Sequence, residues 1–408
     1  MRARLLFGEN REVDNIYIGI VLALSLLGVL LIFSARHSAT GSTDYYLRQL
    51  MWLALAASAF LVVIRLPLRL YEVFAYPILG VAVLMLVALF FWGHGAFGAV
   101  RWFDLGPLHL QPSEWAKLAV VIACARYLST ARSKSPLVKL LVLGVICGLP
   151  ALLVLRQPDL GTALAFVVIF LGMAVWAQIP LWAMAVCLTP VISLVAAASV
   201  WAWLGYFALL IVVLAWVRPG IGLSVGLAVL NIAGGIATPV LWDRLHDYQK
   251  MRVMTFLDPT RDPHGAGYQI IQSKVAIGSG GLAGKGFLSG SQTHLKFLPA
   301  QHTDFVFAVL GEEFGFWGTT LVLTLFAALV LRGYFIAART RNRFGSYLAA
   351  GITSVLLFHV IVNIGMTVGL FPVTGIPLPY LSYGGSFLLA MWVLAALVVS
   401  VSDRWQEY

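Results

Sequence analysis

Long apolar runs broken by short polar turns dominate this chain. Runs near 15–34, 49–64, 72–92, 114–129, 139–155, 160–178, 182–200, 203–217, 220–241, 305–331, 346–370 and 384–402 stand out. A membrane-spanning helix needs about 20 mostly apolar residues, so the pattern predicts twelve candidate spans. Three of the breaks are very short, around Ile179–Leu181, Trp201–Trp203 and Pro219. The one long polar stretch is 242–304, and a connection of that length is usually functional or disordered. Aromatic and apolar residues recur along it (Tyr248, Phe256, Tyr268, Ile270), which argues for order. Its first part, HDYQKMRVMTFLDP, predicts a short interfacial helix ended by Pro259 and Pro263. No internal repeat of the kind common in secondary transporters is visible.

Composition agrees with the pattern. Hydrophobic residues make up 61% of the 408 positions and charged residues 11%, against about 45–50% and about 25% in a soluble globular chain. The expected class is an all-α polytopic membrane protein with about ten to twelve helices, one integral membrane domain over 1–408. Cys124, Cys147 and Cys187 each sit in an apolar run, an odd number without disulfide or zinc spacing. The first apolar run lacks a small-residue cleavage site and reads as a retained span.

Charge adds an orientation. The net charge is +10, from 27 basic and 17 acidic residues. Excess Lys and Arg in such a chain points to cytoplasmic loops and anionic lipid, not nucleic acid. Alternate loops put fifteen basic residues on one side and five on the other, with seven in the long loop. The expected topology has both termini cytoplasmic and the 242–304 loop extracytoplasmic.

The polar chemistry gathers on that extracytoplasmic side. In LDPTRDPHGAG, Asp258 and Asp262 each precede a proline. Asp-Pro is a turn opener, yet a carboxylate partly desolvated at a bilayer surface can be raised towards a useful base. In IGSGGLAGKGFLSG, six glycines fall between Gly278 and Gly290. Such backbone either cradles an anion, helped by Lys274 and Lys285, or forms a chain of tight turns. The spacing is not that of a P-loop.

Further on, His302, Thr303 and Asp304 stand at the mouth of a span, where Thr303 or Asp304 is a candidate cap. Glu312 and Glu313 lie about two turns deeper and point about 100° apart, and a carboxylate at that depth needs a partner or a polar cavity. Glu114 and Lys117 share a helix face at another span's start. Asp159, beside Arg156 and Gln157, marks the next corner and is either a cap or a site residue. The broken segment PVTGIPLPYLSYGGS is tolerated at membrane depth only where protein or a watery cavity covers it. These features predict one large extracytoplasmic cleft.

The segments LQPSEWAKLA, RQPDLGTAL, DPTRDPHGAGYQIIQSKVAIGSGGLAGKG, LPAQHTDFVFAVLGEEFG and PLPYLSYGGS, in this order, resemble the SEDS family of shape, elongation, division and sporulation proteins. Within it, IIQSKVAIGSGG together with Asp258 is similar to the elongation branch, RodA. The family typically has ten spans, one of them between RQPDLGT and the HDYQ stretch. The pattern here leaves about two extra helices in that interval.

The resemblance implies a peptidoglycan glycosyltransferase that polymerises lipid II outside the bacterial cytoplasmic membrane and releases undecaprenyl diphosphate. It marks Asp262 as the catalytic residue and Asp258 as the weaker candidate. Glu114, Lys117 and Asp159 fall on the family's other motif positions. Lys117 and Arg101 are candidates for the leaving diphosphate; Lys274, His302, Asp304 and Glu312 are supporting residues. Glu114 is a candidate either to orient Lys117 or to hold a divalent cation, Mg or Mn. The expected partners are a class B penicillin-binding protein (a transpeptidase) and other membrane proteins of the elongation machinery. Two other readings are a lipid II flippase, which would need sites open to both sides and near the midplane, and a non-catalytic scaffold.

Overall fold

The computed structural model describes residues 14–40, 44–93, 101–105, 108–131, 134–217, 220–244, 250, 255, 265–294, 297–298 and 300–403. Its first half runs α1 (Asn15–Thr40), α2 (Asp44–Arg65), α3 (Leu68–Val73), α4 (Ala75–Trp92), a hairpin of β1 (Phe103–Leu105) and β2 (Leu108–Leu110), α5 (Pro112–Thr130), α6 (Pro136–Arg156) and α7 (Leu160–Trp176). There follow α8 (Leu181–Ala196), α9 (Val200–Val217), α10 (Ile221–Arg244), α11 (Ala266–Ser279), α12 (Ser291–His294), α13 (Val306–Arg339), α14 (Arg343–Thr367) and α15 (Gly385–Asp403). The strands pair antiparallel, with Phe103 opposite Leu110.

Every one of the twelve predicted runs is helical. By length and composition, seven helices among the described residues are long and apolar enough to cross a membrane: α1, α2, α4, α6, α13, α14 and α15. α5 has the length but carries Glu114, Lys117 and Arg126. α7 and α8 have 17 and 16 residues, about 24–26 Å at 1.5 Å per residue, against a hydrocarbon core of about 30 Å. α9 and α10 count only as shorter apolar stretches. The helices agree with the expected all-α polytopic membrane fold: among the described residues seven meet the length and apolarity of a span, and shorter apolar helices accompany them.

Local signals set the helix starts. Ser135 accepts from the Val138 N–H with Pro136 in the first turn of α6. Asn342 caps α14 by accepting from Gly345, and Asp159 caps α7 by accepting from Thr162. Neither Thr303 nor Asp304 caps α13, whose N-cap position is Phe305 with no side-chain bond. Thr303 bonds back to Ala300 instead.

Of those seven long apolar helices, α14 and α15 are the most enclosed, and α5 is buried on nearly every face between them and α4 and α7. α8, α9 and α10 form a peripheral unit touching the remainder through α6 and α7. It has its own small core of Val186, Leu210, Leu214 and Leu227. Its centre is polar: buried Asn231 donates to Thr189 Oγ1 and accepts from the Tyr206 hydroxyl. Hydrogen bonds of this kind join helices where lipid supplies no hydrophobic drive. This unit lies where the resemblance leaves extra helices.

Two expectations within 242–304 meet different outcomes. The interfacial helix over HDYQKMRVMTFLDP, and with it Asp258 and Asp262, lies outside the described residues except at Lys250 and Thr255. The stretch AGYQIIQSKVAIGS, read as loop, is helix α11, anchored by Ser273 donating to the Thr367 carbonyl.

The glycine-rich loop after α11 works as a strap. α13 breaks at Gly315, whose φ of 63° and ψ of −157° interrupt the helix. The loop satisfies the freed backbone: Lys285 and Gly286 N–H donate to the Glu312 and Glu313 carbonyls, and Phe316 N–H donates to Gly281. Gly284, at φ +79°, sits so close to the Glu313 carbonyl that a Cβ would collide with it. The anion-cradle alternative is thereby corrected at these positions. The N–H groups of Lys285 and Gly286 are engaged by a broken helix that must satisfy its polar groups within the protein.

Candidate functional site

One cleft of about 400 Å³ opens at the end of the bundle where the hairpin, the α6–α7 corner and the 372–386 segment meet. Arg48, Arg101, Glu114, Asp159, Asp304 and His359 lie on its wall. Each arrives by a local route. The hairpin sets Arg101 and Trp102 at one rim and His109 and Gln111 at the other, and Gln111 then leads into α5. Pro112 opens α5, and Glu114 in its first turn faces the cleft.

Glu114 and Lys117 form the ion pair that their spacing predicts, Oε2 to Nζ 2.7 Å, with side chains only 3% and 1% exposed. Lys117 Nζ lies 2.8 Å from His359 Nε2, and His359 Nδ1 lies 3.2 Å from the Pro377 carbonyl. A carbonyl only accepts, so Nδ1 carries the proton and Nε2 accepts from Lys117. The chain Glu114–Lys117–His359–Pro377 thus ties α5 to α14 and to the broken segment. Lys117 stands behind Glu114 and does not line the cleft. The expected contact of Lys117 with a diphosphate is replaced in this geometry by two protein acceptors.

Arg101 takes the exposed position. Its guanidinium donates to the Pro158 carbonyl, and its Nε is 3.8 Å from Asp159 Oδ2. The Arg101 side chain remains 28% exposed while that of Asp159 is 8% exposed. Asp159 therefore fills both roles left open for it, cap and site residue. The Thr162 hydroxyl holds its second oxygen at 2.9 Å.

The 372–386 segment forms the opposite wall. Asn363 donates to the Asp304 and Ile376 carbonyls, and Ser382 Oγ accepts from Leu378 N–H and donates to the Thr303 carbonyl. The irregular backbone is satisfied internally, as its depth requires.

His302 sits beside this wall rather than in it. Its Nε2 is 3.1 Å from Arg36 Nη2, and its ring packs edge-on against Tyr45. Burial, and then the Arg36 charge, lower its pKa from the usual 6.5 to about 4. At neutral pH the ring is an acceptor that orients Arg36, not an acid. Burial raises the Tyr383 phenol above its ordinary value, with Arg48 beside it pulling the other way.

Two expected supporting residues lie elsewhere. Lys274 is exposed on α11 against Gly369. Glu312 is fully buried and accepts from Lys285 Nζ at 2.8 Å and Gln292 N–H at 2.9 Å. It neutralises a lysine under the glycine strap, while its neighbour Glu313 pairs with Ser34 on α1. Adjacent residues on a helix diverge, and here they bond to different elements.

Among the cleft residues that sequence reasoning missed as site candidates are His359 and Arg48. A histidine and Asn363 four residues apart inside an apolar span are the signal that marks that face.

Among the described residues no three His, Cys, Asp or Glu side chains come together to hold a metal ion. The donor chemistry of the cleft also fits one poorly: Glu114 is matched by Lys117 and Asp159 by Arg101.

Comparisons with known proteins agree with the motif resemblance. A family model covering FtsW, RodA and SpoVE, described as cell cycle protein, matches residues 14–206 and 202–407. Peptidoglycan glycosyltransferase MrdB of Escherichia coli K12 is 39% identical over 97% of this chain and 95% of its own length. Peptidoglycan glycosyltransferase RodA of Treponema pallidum is 33% identical over 96% and 98%. Among solved structures, RodA of Thermus thermophilus matches with a TM-score of 0.64 at 26% identity, over 97% of this chain and 98% of that one. A chain from a peptidoglycan synthase complex that coordinates polymerization and crosslinking matches with a TM-score of 0.73 at 29% identity, over 97% and 99%.

Proposed function

The chain belongs to the FtsW, RodA and SpoVE family of cell cycle proteins, and from that premise we infer that it is a peptidoglycan glycosyltransferase of the elongation branch. The observation that carries the reading is the cleft. A membrane bundle whose relatives are named as peptidoglycan glycosyltransferases gathers two arginines and three carboxylates at one end of its helices. That concentration at one end favours a transferase over a transporter, which needs sites near the midplane.

The substrate is lipid II, and the reaction is one displacement. Asp262 takes the proton from the 4-hydroxyl of the acceptor sugar. The oxygen bonds to the anomeric carbon of the donor, the bond from that carbon to the diphosphate breaks, and undecaprenyl diphosphate leaves with the electron pair. One carboxylate suffices for such a step, so the anomeric configuration inverts. The leaving diphosphate needs cations aimed at its growing charge, and Arg101 and Arg48 are the cations on the cleft wall. Asp159 positions Arg101, and Glu114, held by Lys117, faces the cleft beside them.

The cleft faces outwards across the cytoplasmic membrane, following the basic-residue asymmetry. The partner is a class B penicillin-binding protein, which cross-links the strands made here; the similarity to a chain of a peptidoglycan synthase complex supports it.

Polymerisation of lipid II by the purified protein with its cognate transpeptidase tests this reading. Asp262→Asn keeps the size and removes the base, so glycan formation falls by about 10²-fold or more while membrane insertion is unchanged. Near wild-type polymerisation by that variant rejects the assignment. A larger loss from Asp258→Asn transfers the role.

A further inference from the structure

A second cavity, about 610 Å³ in volume, opens at the end of the bundle opposite the cleft. Three separate pieces of chain build it: the α2–α3 turn, the end of α5 and the α13–α14 turn. Arg69 comes from the first, and Arg341 and Arg343 flank Asn342 in the third. All three arginines are exposed, and among the described residues none makes a hydrogen bond or an ion pair.

The contrast with the cleft decides the matter. There Arg101 has a carboxylate partner in Asp159, and Glu114 on the cleft wall is paired with Lys117 behind it. Here the one lining carboxylate, Glu72, is already paired with Arg126. Among the described residues, the cavity therefore holds three positive charges without a matching carboxylate. The N-terminus of the 25-residue α14 adds its partial charge at the same wall. Leu68 and Phe344 give it an apolar floor.

A basic pocket between helices at a membrane surface, with apolar residues beside it, suits a lipid that joins an anionic headgroup to acyl chains. We propose that this cavity binds the phosphodiester headgroup of an anionic membrane phospholipid, with Arg69, Arg341 and Arg343 as its cationic ligands. Guanidinium groups suit the task because their fork of donors matches phosphate oxygens in pairs. The occupant bridges two turns far apart in sequence, fastening the α2–α3 corner to the start of the enclosed helix α14. The site is independent of the polymerase reading and survives its failure.

The test uses the full chain in nanodiscs, with retained lipid read by native mass spectrometry. Wild type should retain phosphatidylglycerol in preference to phosphatidylcholine. A basic residue near a membrane surface contributes about 5-fold in binding, so Arg69→Gln with Arg341→Gln and Arg343→Gln should weaken phosphatidylglycerol retention by about 10²-fold. The triple lysine variant keeps the charge and should retain most of it. If the triple glutamine variant does not fold, Arg69→Gln alone should show the loss of about 5-fold. Equal retention by wild type and the glutamine variants overturns the proposal. So does complete displacement of phosphatidylglycerol by millimolar inorganic phosphate, or by an acidic peptide, since the site would then belong to a soluble ligand.

Discussion

Replacing Lys117 by Met should be among the most damaging single changes in this protein, and replacing Glu114 by Gln as well should repair much of the harm to stability. Lys117 is 1% exposed and Glu114 3% exposed, with 2.7 Å between their charged atoms. Removing the ammonium leaves a buried carboxylate without a counter-charge, a change that costs about 3–5 kcal/mol. Glu114→Gln alone is milder, because His359 Nε2 still accepts from Lys117 at 2.8 Å and the new amide oxygen can accept too. In the double variant no unpaired charge remains, and stability should return to within about 1 kcal/mol of wild type. The cycle should therefore show a coupling of at least about 2–4 kcal/mol, read from unfolding midpoints in one detergent. Lipid II polymerisation supplies the second readout. Glu114 lines the cleft, so the double variant should stay inactive while its stability recovers. Additive losses would refute the pairing argument. Full recovery of polymerisation would show that the pair only supports the fold.

Gly284→Ala should lower the unfolding midpoint by more than the ~1 kcal/mol of an ordinary glycine replacement, because φ is +79° and the Glu313 carbonyl blocks a Cβ; an unchanged midpoint rejects the strap. His302 has a folded-state pKa of about 4, below its ordinary 6.5, so the unfolded chain binds the proton first and stability falls as pH drops from about 6.5 to about 4. His302→Gln should flatten that slope, and identical pH profiles would remove His302 as its source. A cysteine at Ser289, beside Phe287, which stacks on Phe33 of α1, should react with an impermeant thiol reagent from outside the cell. One at Lys134, at the other end of the bundle, should not; labelling with reversed sidedness would invert the topology.

What was legible in the sequence is what depends on near neighbours along the chain. Apolar runs of spanning length, the shared face of Glu114 and Lys117, and the divergence of Glu312 from Glu313 all follow from a rise of 1.5 Å and 3.6 residues per turn. The cap at Asp159 likewise involves residues only three apart. Tertiary structure decided everything that joins distant segments. His359 meets Lys117 across 242 residues, and Arg101 meets Asp159 from a hairpin whose position local pattern does not encode. The glycines looked like an anion cradle because their spacing carries no record of the break at Gly315 that claims the loop's N–H groups. Lys274 and Glu312 fell outside the cleft for the same reason. Spacing along a helix sets the direction in which a side chain points, but only the packing of helices against one another determines what it meets there.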